Sequence, residues 1–235
     1  MPDDAQQTNA QEVADVHAAI IQQFLTTGRC PDREALSLLL KLPREVITER
    51  LLRLAVIHGA VLHPHVAEPW IIHPFCSTPT LNWVVSRDHS WWAPCIWCAL
   101  GIAALVRDHV QIHSRLAGEE IPIIIEVENG RIRSYDEIVV HFAIPPRRAW
   151  DNPHQHCALM LPFRKASEIE FWCQRHGLPH GEAVPLRQVA KLATNWYGAY
   201  AERSWRKWTM EQAQAIFVES GLTSPFWKLS GTGTF

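Results

Sequence analysis

The stretch WWAPCIWCALG, residues 91–101, lies where a predicted strand passes into a predicted helix. The strand before it is LNWVVS, residues 81–86, and the helix after it is CALGIAALVRDHVQIH, residues 98–113. Cys95 and Cys98 stand three positions apart at the start of this helix. Such a pair is typical of a redox centre, of half a metal site, or of a nucleophile with a neighbouring thiol.

The composition excludes several classes of protein. The chain has 235 residues, a formal net charge of -2 and a pI near 6.7, so no basic excess indicates a nucleic-acid surface. No apolar run approaches about 18 residues, and the N-terminus has no basic start followed by an apolar core. We therefore expect a cytoplasmic protein that binds neither nucleic acid nor membrane. There, its six cysteines are expected to be free, catalytic or metal-binding.

The first 72 residues predict a winged-helix-like unit. Apolar periodicity indicates three helices, the second with Asp32 as its predicted cap. The segments AVLHPHV and WIIHPF after them predict a hairpin. A winged helix raises the possibility of DNA binding. The third helix carries Arg44, Arg50 and Arg53, but Glu45 and Glu49 offset their charge. We therefore expect this unit to pack on the rest of the chain and not to bind DNA.

Residues 73–235 predict a second, α+β unit, a small mixed sheet with packed helices. Residues 121–145 indicate two or three strands with a tight turn at Asn129 and Gly130, and residues 156–163 predict a further strand. Helices are predicted over residues 167–177 and 184–205. Thr209 and Gln212 predict a capping box for the last helix.

Redox and zinc interpretations of the cysteine pair are both open. WAPCIWC looks like the active-site stretch of thioredoxins, but the chain is too long for that fold, and three helices precede the motif. A structural zinc site needs four ligands, and no second pair with this spacing follows. His154, His156 and Cys157 lie within four residues, so they do not easily converge on one ion.

Three segments together resemble the organomercurial (alkylmercury) lyase family. They are HPFCSTPT at residues 73–80, WCALG at 97–101, and HCALMLPFRKASEIEFWCQRHG at 156–177, and their order and approximate spacing match that family. The resemblance implies that Cys98 and Cys157 are the two catalytic cysteines. The family places an aspartate three residues after the first of them, and here that position is Gly101.

The resemblance implies cleavage of a carbon–mercury bond, or of a related carbon–metalloid bond. Thiolates of Cys98 and Cys157 would capture the soft metal, and a proton would have to reach the departing carbon. Mercury is then a substrate or product and not a cofactor, and the partner is a small organometallic or thiol-reactive compound. Trp91, Trp92 and Trp97 are expected to wall the pocket.

The absence of a carboxylate at Gly101 leaves the proton donor open. Cys95, one turn from Cys98, or His154 or His156 could supply the proton. Gly101→Asp is expected to raise the cleavage rate, with a limited gain if the cavity has closed around the glycine. The alternatives to a lyase are a non-catalytic thiolate-based heavy-metal binder or sensor and a divergent thiol enzyme acting on an organic substrate.

Overall fold

Three helices open the chain in the computed structural model, which describes residues 2–135, 137–202, 204–231 and 234–235, with side chains from residue 10 onward. They are α1 (Pro2–Thr27), α2 (Arg33–Leu40) and α3 (Arg44–Val56). The Asp32 side chain accepts the Ala35 N–H at 2.7 Å and caps α2, as predicted. Pro43 precedes the first turn of α3, where its missing N–H costs nothing.

The arginines of α3 are paired with acidic side chains. Arg50 and Arg53 both contact Glu12 of α1, at 2.9 Å and 3.3 Å, and Arg44 contacts Glu34 at 3.1 Å. These ion pairs join the three helices to one another. They also neutralise the charge that a DNA-binding surface would need.

Eight strands form the main sheet, and each of its pairings is antiparallel. The strands are β1 (Val61–Leu62), β2 (Pro69–Ile72), β3 (Phe75–Cys76), β4 (Asn82–Val85), β5 (Ser90–Ala93), β6 (His109–Arg115), β7 (Pro122–Glu128) and β8 (Arg131–Ile132). Their order across the sheet is β1-β2-β3-β5-β4-β6-β7-β8. The predicted turn joins β7 to β8, and both Asn129 and Gly130 have positive φ, as a type I′ turn requires.

Helix α4 (Ile96–Val106) begins where it was predicted but ends earlier. Arg107 closes it with a left-handed backbone, and β6 follows from His109. The prediction of one helix over residues 98–113 is therefore wrong in its last part. In β6 the buried residues alternate, with Val110, Ile112 and Ser114 facing the interior, which is the period of a strand.

A second, three-stranded sheet carries the order β10-β9-β11, with β9 (Val139–Phe142), β10 (Met160–Phe163) and β11 (Glu182–Pro185). A short helix, α5 (Pro153–Ala158), precedes β10. The prediction of a strand over residues 156–163 is thus wrong in its first part. The Asn152 side chain accepts the Gln155 N–H at 3.0 Å, and Pro153 occupies the first turn, so a local cap favours helix there.

Three more helices complete the chain: α6 (Ser167–His176), α7 (Leu186–Tyr197) and α8 (Met210–Glu219). The reciprocal capping box of Thr209 and Gln212 at α8 is confirmed. The helix predicted over residues 184–205 is shorter at both ends, since residues 184–185 belong to β11 and α7 ends at Tyr197. Helices α4 and α7 pack closely against each other, and this contact shapes the site described below.

The α+β class is confirmed. One cluster of buried side chains extends from α1 through the main sheet to α4, α7 and α8, and Phe24 of α1 stacks on Phe75 of β3 with ring centroids 4.7 Å apart. The division into units at residues 72 and 73 stays a prediction. Across the described ranges, no helix is both long and apolar enough to cross a bilayer.

Candidate functional site

Cys95 and Cys98 occupy the N-terminus of α4. Cys95 is the N-cap residue, and its Sγ accepts the backbone N–H of Cys98 at 3.4 Å. The first N–H groups of a helix have no partners within the helix, so a sulfur in this position satisfies one of them. The Cys95 thiol thus caps the helix that follows strand β5, and Cys98 lies in the first turn of that helix.

Cys157 comes from α5 and meets a histidine from the main sheet. Its Sγ lies 3.4 Å from Nε2 of His73, which stands in the turn between β2 and β3. The two residues are 84 positions apart in sequence. Cys157 lies on a helix and not on the predicted strand. The Asn152 cap and Pro153 define the first turn of that helix.

His73, Cys98 and Cys157 form a potential ligand cluster. One ligand atom from each of them lies within 4.8 Å of the others. A metal–sulfur bond is about 2.3 Å long, so one soft ion between these atoms could reach all three with small adjustments. The structure thus brings together the two cysteines that the family resemblance singles out. It adds His73, which belongs to the HPFCSTPT segment but was not predicted as a ligand.

All six cysteines are free, and Cys95 adjoins the ligand cluster without being one of its three residues. It is buried and is not among the described residues that line the cavity next to Cys98 and Cys157. Its sulfur caps the N-terminus of α4 and interacts with the side chains of Cys98 and Cys157.

The thiols of the site have strongly perturbed pKa values. Burial opposes ionisation of Cys95, but hydrogen bonds from the side chains of Cys157 and Cys98 and from the Cys98 backbone lower its pKa well below the ordinary value. Burial raises the pKa of Cys98, and hydrogen bonds to Cys95 and Cys98 together with burial raise the pKa of Cys157. Ionisation is therefore favoured at Cys95 and opposed at Cys98 and Cys157.

An apolar cavity with a free volume of about 50 Å³ opens beside Cys98 and Cys157. This is room for roughly three to five water molecules, and hence for a small organic group. Seven aromatic side chains contribute to the wall: Trp97, Trp150, Trp196, Tyr197, Tyr200, Trp205 and Phe235.

Two of the three tryptophans predicted to wall the cavity lie elsewhere. Trp97 lines it, whereas Trp91 is buried in the main core with its Nε1 donating to the Phe24 carbonyl at 2.6 Å, and Trp92 is partly exposed on β5. Neighbouring residues of a strand point to opposite faces, so adjacent tryptophans of β5 cannot share one pocket.

Of the two histidines considered as proton donors, one lies at the cavity. His156 lines it, and burial lowers the pKa of its ring to about 4. His154 is exposed and stacks on Trp70. His73, also on the cavity wall, has a pKa lowered to about 4 by burial. The cavity histidines are therefore neutral near pH 7.

Lys207 is a further cavity residue that sequence reasoning missed. Its ammonium group donates to the His58 carbonyl at 3.0 Å and lies 4.2 Å from the ring centroid of Trp150. Desolvation lowers its pKa to about 7. No motif surrounds Lys207, so only the fold reveals that it shares a cavity with the cysteines.

The space beside Gly101 is filled by Tyr197. A Cβ atom at Gly101 would come within 2.9 Å of Cε2 and of Cγ of Tyr197, and closer still to Cδ2. The phenol oxygen of Tyr197 lies 3.5 Å from Sγ of Cys98. Burial raises the pKa of Tyr197 well above its ordinary value, so the hydroxyl keeps its proton at neutral pH. The cavity has closed around the glycine, and Gly101→Asp alone would collide with this ring.

Two comparisons with known proteins gave matches. The model of the alkylmercury lyase family matches residues 75–198, which include Cys95, Cys98, Cys157 and Tyr197. A crystal structure of the mercury-bound form of MerB2 superposes with a TM-score of 0.62 at 17% sequence identity, covering 83% of this chain and 100% of that one. That likeness concerns the fold.

A search of curated proteins gave no match. The family match nevertheless spans more than half of the chain and supports an organomercurial lyase-like role. The chain therefore belongs to the alkylmercury lyase family.

Proposed function

We propose that this protein cleaves the carbon–mercury bond of small organomercurials by thiolate capture followed by protonolysis. The observation that carries the proposal is the meeting of His73, Cys98 and Cys157 within 4.8 Å on the wall of an apolar cavity. Membership of the alkylmercury lyase family supports the same reaction class. Mercury is the substrate's metal and the product's metal, and the proposed reaction uses no resident cofactor.

Capture begins with exchange of the mercury ligand. A compound R–Hg–X loses X⁻ and gains the sulfur of Cys157, whose proton departs as the Hg–S bond forms. Cys95 is the proposed acceptor of that proton, since its sulfur already takes hydrogen bonds from Cys157 and Cys98. Thiolates prefer soft metals over hard ones, which makes cysteine suited to this step. His73 offers a third donor atom beside Cys157.

Cleavage then needs a second sulfur and a proton. Cys98 binds the same mercury, the C–Hg bond breaks, and the carbon leaves as R–H. Mercury stays in the +2 state throughout and ends between two sulfurs. The aromatic wall keeps water away, which strengthens the interaction between thiolate and metal and protects the site from competing ligands.

Single-turnover release of hydrocarbon tests the proposal. Purified protein is mixed with a substoichiometric amount of phenylmercuric acetate, and benzene is measured by gas chromatography. We expect release by the wild type and its loss in Cys98→Ser and in Cys157→Ser. Cys30→Ser is the matched control, because Cys30 lies between α1 and α2 and does not line the cavity. Wild-type protein that binds the compound but releases no benzene would contradict lyase activity.

A non-catalytic binder of soft metal ions is the second candidate, and one observation favours it. Position 101, one helical turn from Cys98, offers no carboxylate to receive or donate a proton. Three converging donor atoms without a proton source would trap mercury and stop there. Retention of mercury without hydrocarbon release, in the experiment above, is the outcome that this candidate predicts.

A further inference from the structure

Protonolysis of a carbon–metal bond requires a proton donor close to the sulfur that takes over the metal. At Cys98 that donor cannot come from position 101, which has no side chain. The volume beside Gly101 is not empty, because the ring of Tyr197 occupies it. The residue that fills the gap thus arrives from α7, 99 positions after Cys98.

The hydroxyl of Tyr197 is held in place by its surroundings. The ring packs against Trp97, with centroids 5.7 Å apart, and against Tyr200, with centroids 5.0 Å apart. The side chain is buried, yet it lines the cavity together with Cys98 and Cys157. Its oxygen lies 3.5 Å from Sγ of Cys98, in a contact where either atom can donate. A phenol so placed can exchange a proton with Cys98 on one side and reach the cavity on the other.

We propose that the Tyr197 hydroxyl relays the thiol proton of Cys98 to the departing carbon. This inference rests on the proposed function, in which R–Hg is already bound to Cys157. As the sulfur of Cys98 bonds to mercury, its S–H bond breaks and the proton passes to the phenol oxygen. The phenol O–H proton passes to carbon as the C–Hg bond breaks.

The relay balances without any co-reactant. One S–H bond and one C–Hg bond are lost, one S–Hg bond and one C–H bond form, and Tyr197 ends as it began. No atom is oxidised or reduced. A relay also avoids leaving a phenolate in the apolar cavity, where an unpaired charge would be costly.

Tyr197→Phe is the direct test, since it keeps the ring over Gly101 and removes only the hydroxyl. Benzene release from phenylmercuric acetate in a single turnover is expected to slow by about 10²–10⁴-fold, the usual contribution of a proton-transfer group. Binding of Hg²⁺, measured by equilibrium dialysis, is expected to match that of the wild type. Tyr135→Phe is the control, because Tyr135 is exposed and does not line the cavity.

A second pair of variants tests whether release depends on a proton donor beside Cys98. Tyr197→Ala empties the space beside Cys98, and adding Gly101→Asp then places a carboxyl group there, one turn from Cys98 on the same helix. We expect the double variant to release benzene at least about tenfold faster than Tyr197→Ala, in line with general acid catalysis. Equal release by Tyr197→Ala and the double variant would count against a proton-transfer role at this place.

The outcomes distinguish this inference from the proposed function. Wild-type release that is unchanged in Tyr197→Phe would overturn the relay and leave the lyase proposal standing. Failure of the wild type to release benzene would overturn both. Loss of release in Tyr197→Phe together with loss of Hg²⁺ binding would also count against the relay, since the hydroxyl would then serve the metal cluster and not the proton.

Discussion

Gly101→Ala should destabilise the protein, although alanine is the better helix former. Gly101 lies inside α4, where replacing glycine with alanine ordinarily stabilises by about 0.5–1 kcal/mol. Here the new Cβ would meet two atoms of the Tyr197 ring at 2.9 Å and a third closer still. Ordinary carbon contacts are about 3.5–4.0 Å, so either the ring or the α4 backbone must move by roughly 1 Å.

The expected magnitude follows from two opposing effects. Overpacking a tight core site costs about 1–3 kcal/mol, and the higher helix propensity of alanine offsets up to about 1 kcal/mol of that cost. The net expectation is a loss of about 1–2 kcal/mol in the free energy of unfolding. Once Tyr197 is alanine, the collision is gone, and the same Gly101→Ala change should stabilise by about 0.5–1 kcal/mol.

A double-mutant cycle in urea measures this coupling. The cycle comprises wild type, Gly101→Ala, Tyr197→Ala and the double variant, and we expect an interaction energy of about 2 kcal/mol, within the range for residues in contact. Tyr135→Ala replaces Tyr197→Ala in the control cycle and should be additive with Gly101→Ala, because Tyr135 lies in an exposed loop. Stabilisation by Gly101→Ala in the wild-type background would refute the idea that Tyr197 fills the space of a side chain at position 101.

Three further predictions follow from the remainder of the chain. Burial lowers the pKa of His17 to about 3. The contribution of its neutral ring to the free energy of unfolding should be fully present above about pH 6.5 and be lost, by up to roughly 5 kcal/mol, as the pH drops towards 3. His17→Phe should make that part of the unfolding profile less steep, with the buried rings of His73 and His156 accounting for slope that remains. An unchanged slope would argue against a neutral buried ring at His17. Gly130→Ala should cost about 1–2 kcal/mol in urea unfolding, because Gly130 has φ of +74° with open space around it; a neutral result would mean that the turn relaxes. Duplex DNA should show no mobility shift at micromolar protein, since Arg50 and Arg53 are paired with Glu12, and a shift that disappears on substituting these arginines would contradict this.

Local signals in the sequence predicted local features well. The Asp32 cap, the Thr209–Gln212 capping box and the Asn129–Gly130 turn are confirmed, because each depends on residues within a few positions of one another. Short apolar runs were less informative. The run through residues 98–113 was assigned to a single helix, although its second part alternates as a strand, since helix and strand periods are hard to separate over so few residues.

The residues of the candidate site were likewise predicted only in part. Cys98 and Cys157 were identified by resemblance, and the structure places both on one cavity. His73 and Tyr197 were missed, because each reaches the cysteines across 84 or 99 positions of sequence and no local pattern records such a contact. Gly101 was recognised as the important departure from the family pattern. What replaces its side chain could be seen only once α7 was packed on α4.

Because the chain carries six free thiols, mercury should shift its folding equilibrium in two opposite directions. Under the proposed function, one equivalent of Hg²⁺ bound at Cys98 and Cys157 would favour the native chain, because that pair is assembled only when α4 and α5 have docked. Cys30 is partly buried, Cys76 and Cys173 are buried, and all three become accessible to solvent when the chain unfolds. Excess Hg²⁺ should therefore bind these additional thiols on the unfolded chain and shift the equilibrium towards unfolding. The thermal midpoint should rise up to equimolar mercury and decline beyond it, so the same element acts first as a stabilising ligand and then as a denaturant.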